Sequence, residues 1–381
     1  MMKTAQAFFS TSAISSDGFP ARQPMSLMTT RNHCLLSLLI LIVTSVSTPA
    51  IGGERQAVIF MYHHFGVEKY PSTNVRLKQF EAHLDYIAAN GYQVWPLQKV
   101  VQYLRNDKPF PARVVAITID DAYTSVYTEA FPRLRARGWP FTVFVATDGV
   151  DKRYTALMTW VQMREMQRHG ASFANHSASH GHLIRRQSGE DDTAWLARLR
   201  EDIQRAQRRL KEELGSAPML LAYPYGEFNT LLADLVAGLG YTAFGQQSGP
   251  AGPGDDFRAL PRFPLSERYA DRDGFRTKIA SLALPVLSAE PWEPVIDDAN
   301  NPPRLRVSLG DSDARLDQLS CFISGQGRVD VEWEDRAARR FAVQAAAPLP
   351  VGRSRYNCTA PSAQQGRYYW YSHLWIQLPA N

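Results

Sequence analysis

The sequence predicts an α/β fold built on a parallel sheet or barrel, followed by a small β-rich domain. Three observations carry this expectation. From residue 56, short apolar runs alternate with amphipathic helical stretches; a proline-punctuated stretch at 283–304 breaks that rhythm; beyond it no helical pattern appears. Residues 56–62 (QAVIFMY), 113–119 (RVVAITI) and 141–145 (FTVFV) read as buried strands, with shorter candidates at 171–175, 219–223 and 241–244. Leu77, Phe80, Leu84 and Ile87 recur at helical spacing, and Gly91 is a natural stop. A second helix is expected over about 195–214. Its Leu196, Leu199, Ile203, Leu210 and Leu214 share one face, and Gly215 ends it. Pro285, Pro291, Pro294, Pro302 and Pro303 mark 283–304 as a linker. After it, Val329-Asp330-Val331-Glu332-Trp333 alternates with the period of a strand.

At 381 residues, one large domain plus a smaller one is the default. Apolar residues make up 45% and charged residues 21%, enough for a buried core with a mixed-charge surface. A net charge of +5 is too mild and too scattered for a nucleic-acid partner. Residues 34–46 (CLLSLLILIVTSV) follow Arg31 and lead into small residues and Pro49. That run is short for a membrane span and fits a signal-peptide core, with an uncleaved anchor as the alternative. Met25 or Met28 would give it a more typical start. The expected organisation is an N-terminal extension and signal peptide at 1–52, a large α/β domain at 53–282, a linker at 283–304 and a β-rich accessory domain at 305–381. Export would let Cys321 and Cys358 pair, a bridge worth about 3–4 kcal/mol on the chain-entropy argument.

Three motifs stand at strand ends, where parallel α/β folds place their chemistry. Thr118-Ile119-Asp120-Asp121 puts two carboxylates directly after a buried strand. Helix capping accounts for one Asp but not both. Asn175-His176-Ser177-Ala178-Ser179-His180 offers two imidazoles able to converge on a metal ion, while His182 reads as a surface residue. Ala222-Tyr223-Pro224-Tyr225-Gly226 is a stiff turn whose backbone N–H could face a developing oxyanion.

Together these residues resemble the polysaccharide deacetylase family, the NodB-homology or carbohydrate esterase family 4 group. The resemblance covers roughly residues 56–265 and implies a distorted (β/α) barrel of the NodB-homology type. It implies a divalent metal, zinc or another first-row ion, held by Asp121, His176 and His180. It makes Asp120 the general base and Pro224, Tyr225 and Gly226 the groove segment that holds the oxyanion. The family's usual Arg two residues before that Pro is Ala222 here, and its late Leu-x-His acid motif has no convincing counterpart. Met61-Tyr62-His63-His64 instead resembles a permuted branch that includes poly-N-acetylglucosamine deacetylases. In that branch a Tyr-His supplies the acid, which matches His63, with His64 as the less favoured neighbour. Leu260-Pro261-Arg262 resembles the branch's late Pro-Arg segment, making Arg262 the partner of Asp120.

The implied activity is hydrolysis of acetamide groups on an N-acetylated polysaccharide, with Asp120 as base and His63 as acid. His-Glu-x-x-His and Gly-x-Ser-x-Gly motifs are absent, and Gly238-Leu239-Gly240 stands before a strand, the wrong order for a dinucleotide site. The alternatives are a deacylase of a small or lipid-linked sugar and an inactive glycan binder. In the tail, Tyr368-Tyr369-Trp370-Tyr371 and Trp375 could stack on sugar rings or fill a small core.

Overall fold

The structure is a computed structural model that describes residues 54–379; the apolar segment at 34–46 lies outside the described residues. Seven strands build the first sheet: β1 (Val58–Tyr62), β2 (Val114–Asp120), β3 (Phe141–Val145), β4 (Ala171–Asn175), β5 (Leu220–Ala222), β6 (Thr242–Phe244) and β7 (Phe263–Pro264). All run parallel, in the order β7-β1-β2-β3-β4-β5-β6, and residues 93–94 add a short piece alongside β2. Every residue of β1, β2 and β3 is buried, as expected for parallel strands covered on both faces. The sheet curls into the distorted barrel expected from the sequence. Leu260 bridges Phe244 on β6 while Phe263 pairs with Phe60 on β1, so one chain segment touches both edges.

Helices α1 (Leu77–Ala89), α2 (Leu97–Arg105), α3 (Phe131–Ala136), α4 (Thr147–Asp151), α5 (Trp160–Gln167), α6 (Asp192–Leu214), α7 (Thr230–Gly238) and α8 (Arg272–Ile279) fall between or after these strands. The long α6 starts at an Asp191 cap that accepts from Ala194 N at 2.8 Å, and ends at Gly215, whose φ of +73° a side chain would resist. Its buried face is Trp195, Leu199, Ile203, Ala206, Leu210 and Leu214, with Leu196 only partly covered. The phase is set by Trp195, whose indole N–H donates to Leu183 O at 3.0 Å.

The tail forms two sheets. One has the order β8 (Leu282–Ala283), β17 (Tyr368–Gln377), β16 (Gly352–Pro361), β12 (Ser320–Ile323), β13 (Gly327–Val329), and β10 (Val295–Ile296) also pairs with β17. The other has the order β9 (Val286–Glu290), β11 (Arg304–Leu309), β15 (Arg340–Gln344), β14 (Glu332–Asp335). Leu305, Val307 and Phe341 of one sheet share a core with Tyr356, Cys358 and Trp375 of the other. Cys321 and Cys358 face each other across β12 and β16 and are disulfide-bonded. The proline-punctuated stretch is woven into these sheets through β9 and β10. Its prolines fall between strands, where no ladder donor is lost. β17 serves two cores. Leu374 and Ile376 pack with Tyr223 and Leu232 of the barrel, and Trp375 points into the tail.

Beneath the end of β1, His83 of α1 is buried with both ring nitrogens engaged: Nδ1 lies 3.1 Å from Tyr62 Oη and Nε2 2.9 Å from Ala270 O. A neutral ring satisfies both contacts, accepting from the phenol and donating to the carbonyl. Burial lowers its pKa to about 4. The unfolded chain takes up this proton near pH 6.5, so stability present above that pH is lost as the pH falls toward 4. Thermal midpoints of wild type and His83→Gln across that window should diverge, the wild type losing stability more steeply by about one bound proton. Parallel profiles would refute the assignment.

Candidate metal centre and active site

β2 delivers both carboxylates. Asp120 is its last residue and is wholly buried; Asp121 follows in a left-handed conformation, φ +59°. The next helical turn begins at Thr124, so neither Asp caps it. That reversal sends the two side chains to different partners. Asp120 receives a bidentate pair from Arg262, Nη1 to Oδ1 at 2.6 Å and Nη2 to Oδ2 at 2.7 Å. The Arg262 guanidinium also donates to Thr118 Oγ1 at 3.1 Å and Gly245 O at 3.0 Å, and both members of the pair have no exposed surface. Burial pushes the Asp120 carboxyl up, but Arg262, with His176 and His63, outweighs it and holds the group below the usual carboxylate range.

Asp121 faces the histidines. Its Oδ1 lies 3.4 Å from His176 Nε2 and 2.9 Å from His180 Nε2, and one ligand atom from each of the three falls within 4.8 Å of the others. His176 Nδ1 sits 2.8 Å from Ala222 O, so that nitrogen carries the proton and Nε2 turns its lone pair to the cluster. A carboxylate and two imidazole nitrogens aimed at one point repel unless a cation or protons lie among them. The donor set fits a divalent metal ion. Burial raises the Asp121 carboxyl, and the two histidines more than offset this, leaving it well below its ordinary value.

The loop carrying His180 is held from below by α6. Asp202 accepts from Ala178 N at 3.3 Å, Ser179 N at 3.1 Å and Ser179 Oγ at 3.2 Å. Ser177 Oγ accepts from His180 N at 2.9 Å, and Asn175 Oδ1 from Ser177 N at 2.9 Å. Asp121, Ser177, His180 and Tyr225 supply four of the eight non-glycine positive-φ residues among the described residues. Strain concentrated this way is retained only where neighbours over-determine it.

The Pro224-Tyr225-Gly226 turn lies against the same cluster, with the Tyr225 ring edge-on to His180 at 4.8 Å. Gly226 is required, since φ is +70° and a Cβ would meet Gln246 Cγ at 2.6 Å. His182, expected to be a surface residue, is instead part of this turn's support. It stacks on Tyr225 at 4.0 Å and bonds Glu227 Oε2 through Nδ1 at 2.7 Å. From the tail, Arg353 on β16 donates to Tyr225 O and lies 3.8 Å from Glu227. Sequence reasoning missed Arg353, Glu227 and Asp202. The last left one trace, an acid beside the apolar stripe of Leu199, Ile203 and Ala206.

His63 follows β1, half-buried, within electrostatic reach of Asp120, Asp121 and Arg262. Burial lowers its pKa more than the two carboxylates raise it. His64 is sandwiched between the rings of Tyr123 at 3.6 Å and Tyr70 at 4.8 Å, a packing role. The structure thus gathers Asp120, Asp121, His176, His180, Arg262, His63 and the Tyr225 turn around one centre.

Residues 107–244 match the model of the family described as polysaccharide deacetylase, and the chain carries a domain of that NodB-homology type. Its relatives include the poly-beta-1,6-N-acetyl-D-glucosamine N-deacetylase of Escherichia coli K12, 27% identical over 206 residues (45% of this chain, 30% of that protein). The Staphylococcus aureus MRSA252 enzyme of the same name is 24% identical over 230 residues, 58% of this chain and 79% of that one. YxkH of Bacillus subtilis is 30% identical over 173 residues, 45% of this chain and 57% of that one. The chain thus spans less than two thirds of YxkH and of the E. coli protein. In fold it is similar to the Streptococcus pyogenes deacetylase PplD, with a TM-score of 0.53 and 22% identity over 59% of this chain and 98% of that one. IcaB from Ammonifex degensii gives 0.51 and 24% over 58% and 97%.

Replacing Asp121, His176 or His180 by Ala should each cut metal content severely, because each removes one of three converging ligands. Elemental analysis of protein dialysed against zinc reads this directly. Full occupancy in all three variants would dismiss the site.

Proposed function

We propose that this chain is a metal-dependent hydrolase that removes N-acetyl groups from an N-acetylhexosamine-containing polysaccharide, an exopolysaccharide of the poly-N-acetylglucosamine kind or a cell-wall glycan. The observation that carries the reading is the convergence of Asp121, His176 and His180 beside the buried Asp120–Arg262 pair. The substrates named for the E. coli and S. aureus relatives favour a polymer over a small or lipid-linked sugar.

Asp121, His176 and His180 would hold the ion, and zinc suits two imidazoles and a carboxylate. Such an ion, when bound, polarises the acetamide carbonyl and acidifies a water molecule. The chain's own residues do the rest. Asp120, kept ionised and aimed by Arg262, takes the proton of the attacking water as its oxygen bonds the carbonyl carbon. The Tyr225 backbone N–H faces the oxyanion, on a turn held by His182, Glu227 and Arg353. His63 protonates the departing amine as the C–N bond breaks. Burial lowers the pKa of its ring, so the proton it delivers to the amine is the one that Asp120 takes from the water, which leaves both groups as they began.

The same reading assigns catalysis to 53–282 and glycan contact to 305–381, with residues 1–52 directing export or, uncleaved, anchoring the chain. The Cys321–Cys358 bridge supports an oxidising compartment. Among the described residues no helix is long and apolar enough to cross a membrane.

Acetate release from N-acetylglucosamine oligomers by metal-reloaded protein tests the roles. Asp120→Asn should keep its metal and lose about 10²–10⁴ in turnover, the usual worth of a positioned base. His63→Ala should resemble it, and His64→Ala should be mild; the reverse order would exchange their roles. Undiminished turnover in Asp120→Asn would end the base assignment. Arg353→Ala should retain metal yet turn over roughly tenfold more slowly, the scale of one charge-assisted hydrogen bond, with partial recovery in Arg353→Lys. Equal rates in all three forms would show the Tyr225 turn to be independent of the tail.

A further inference from the structure

Apart from the metal centre, a cavity of about 360 Å³ opens where the barrel meets the tail. Gly249, Asp255 and Pro261, on the segment leading to Arg262, line one side, and β17 from Trp370 to Leu374 lines another. Trp292 and β9 complete it. The two sides approach closely: a Cβ on Gly249 would stand 3.8 Å from Trp370 Cδ1.

β17 makes the space polar. Its outer edge pairs with β8 at Tyr369 and Trp370 and with β10 at Ile376 and Gln377, leaving a gap between them. Leu284 N donates to Trp370 O at 3.1 Å, and Ile376 N to Pro294 O at 2.7 Å, so even-numbered residues turn their backbone groups to this edge. By the same alternation, Ser372 and Leu374 present theirs to the gap. Side chains add to this. Trp370 Nε1 and Ser372 Oγ, on one face of the strand, are buried without a hydrogen-bond partner, and Ser372 is only 6% exposed. Burial pushes the Asp255 carboxyl up to about 7, so near neutrality it donates as well as accepts. Buried polar atoms left alone are destabilising, and several around one cavity call for a polar occupant.

We propose that this cavity binds one sugar unit of a glycan chain, as a second saccharide site distinct from the metal centre. A pyranose combines apolar C–H faces with hydroxyls that both donate and accept. The cavity combines Trp292 and Trp370 with the indole N–H, a hydroxyl and a carboxyl. An apolar ligand would leave those atoms unanswered, and an anion would meet Asp255. A peptide strand would find only Ser372 and Leu374 free to pair. The volume lies at the small end of ligand pockets and suits a single ring. The identity of the sugar rests on the polysaccharide reading above.

The test titrates the full chain with a β-1,6-linked N-acetylglucosamine trisaccharide by calorimetry, in a His180→Ala background that disables the metal centre. Binding should persist there. Adding Ser372→Ala or Trp370→Phe should weaken it roughly fivefold to tenfold each, the worth of one hydrogen bond, in protein that remains folded by circular dichroism. No binding to His180→Ala, or isotherms indifferent to both added substitutions, would overturn the proposal. Acetate release by the wild type separates the two readings. Its absence with cavity binding intact defeats the deacetylase alone, and its presence without cavity binding defeats the second site alone.

Discussion

Arg262 and Asp120 form a charge pair with no exposed surface, and the geometry of the centre hangs on it. Bringing two ions out of water is costly, and such a pair survives only when its hydrogen-bonding capacity is nearly filled. Here the guanidinium meets both carboxylate oxygens, the Thr118 hydroxyl and the Gly245 carbonyl, with the rings of Phe144 and Phe244 beside it. Arg262 also belongs to the segment that touches both edges of the curled sheet, and its own N–H goes to Gln247 O at 3.0 Å. The pair therefore ties the end of β2 to the seam of the barrel. Asp121 is the next residue along, so the position of the candidate metal ligand it supplies is inherited from that tie. An apolar pair of similar volume would have stabilised the barrel as well or better. The pair is thus no argument for stability, and it fits the base role proposed for Asp120.

The histidine side of the centre is built differently. There, backbone in unfavourable conformations at Ser177 and His180 is held by side-chain acceptors, Asn175, Ser177 and Asp202. One wall is thus fixed by a buried ion pair and the other by a network of neutral and charge-assisted hydrogen bonds. The α6 helix, whose buried face runs from Trp195 to Leu214, is the rigid support of the second wall.

How much of this was legible depends on how far apart in sequence the partners lie. The barrel strands announce themselves because a strand covered on both faces is a continuous apolar run, as in FTVFV at 141–145. The paired carboxylates and the spaced histidines are visible because each motif sits within a few residues at a strand end. Arg353 meets Tyr225 across 128 residues and leaves no local pattern at all. Arg262 drew notice through family likeness and not through its own surroundings. Strands of two residues, such as β8 and β10, are too short to show any period, so prolines dominate the reading of 283–304 as a linker. Four of the five residues expected on the buried face of α6 are buried; only in its first turn does Trp195 take the core position while Leu196 is partly covered.

β17 closes two cores with one strand, giving Leu374 and Ile376 to the barrel and Trp375 to the tail. During synthesis the flank around Tyr223 and Leu232 leaves the ribosome well before the residues that cover it. Domains that fold in order of emergence do not face this delay. Here the nascent barrel carries an uncovered apolar flank until β17 arrives. That interval is when a chaperone has most to shield, and when a stalled or clipped chain is most prone to aggregate.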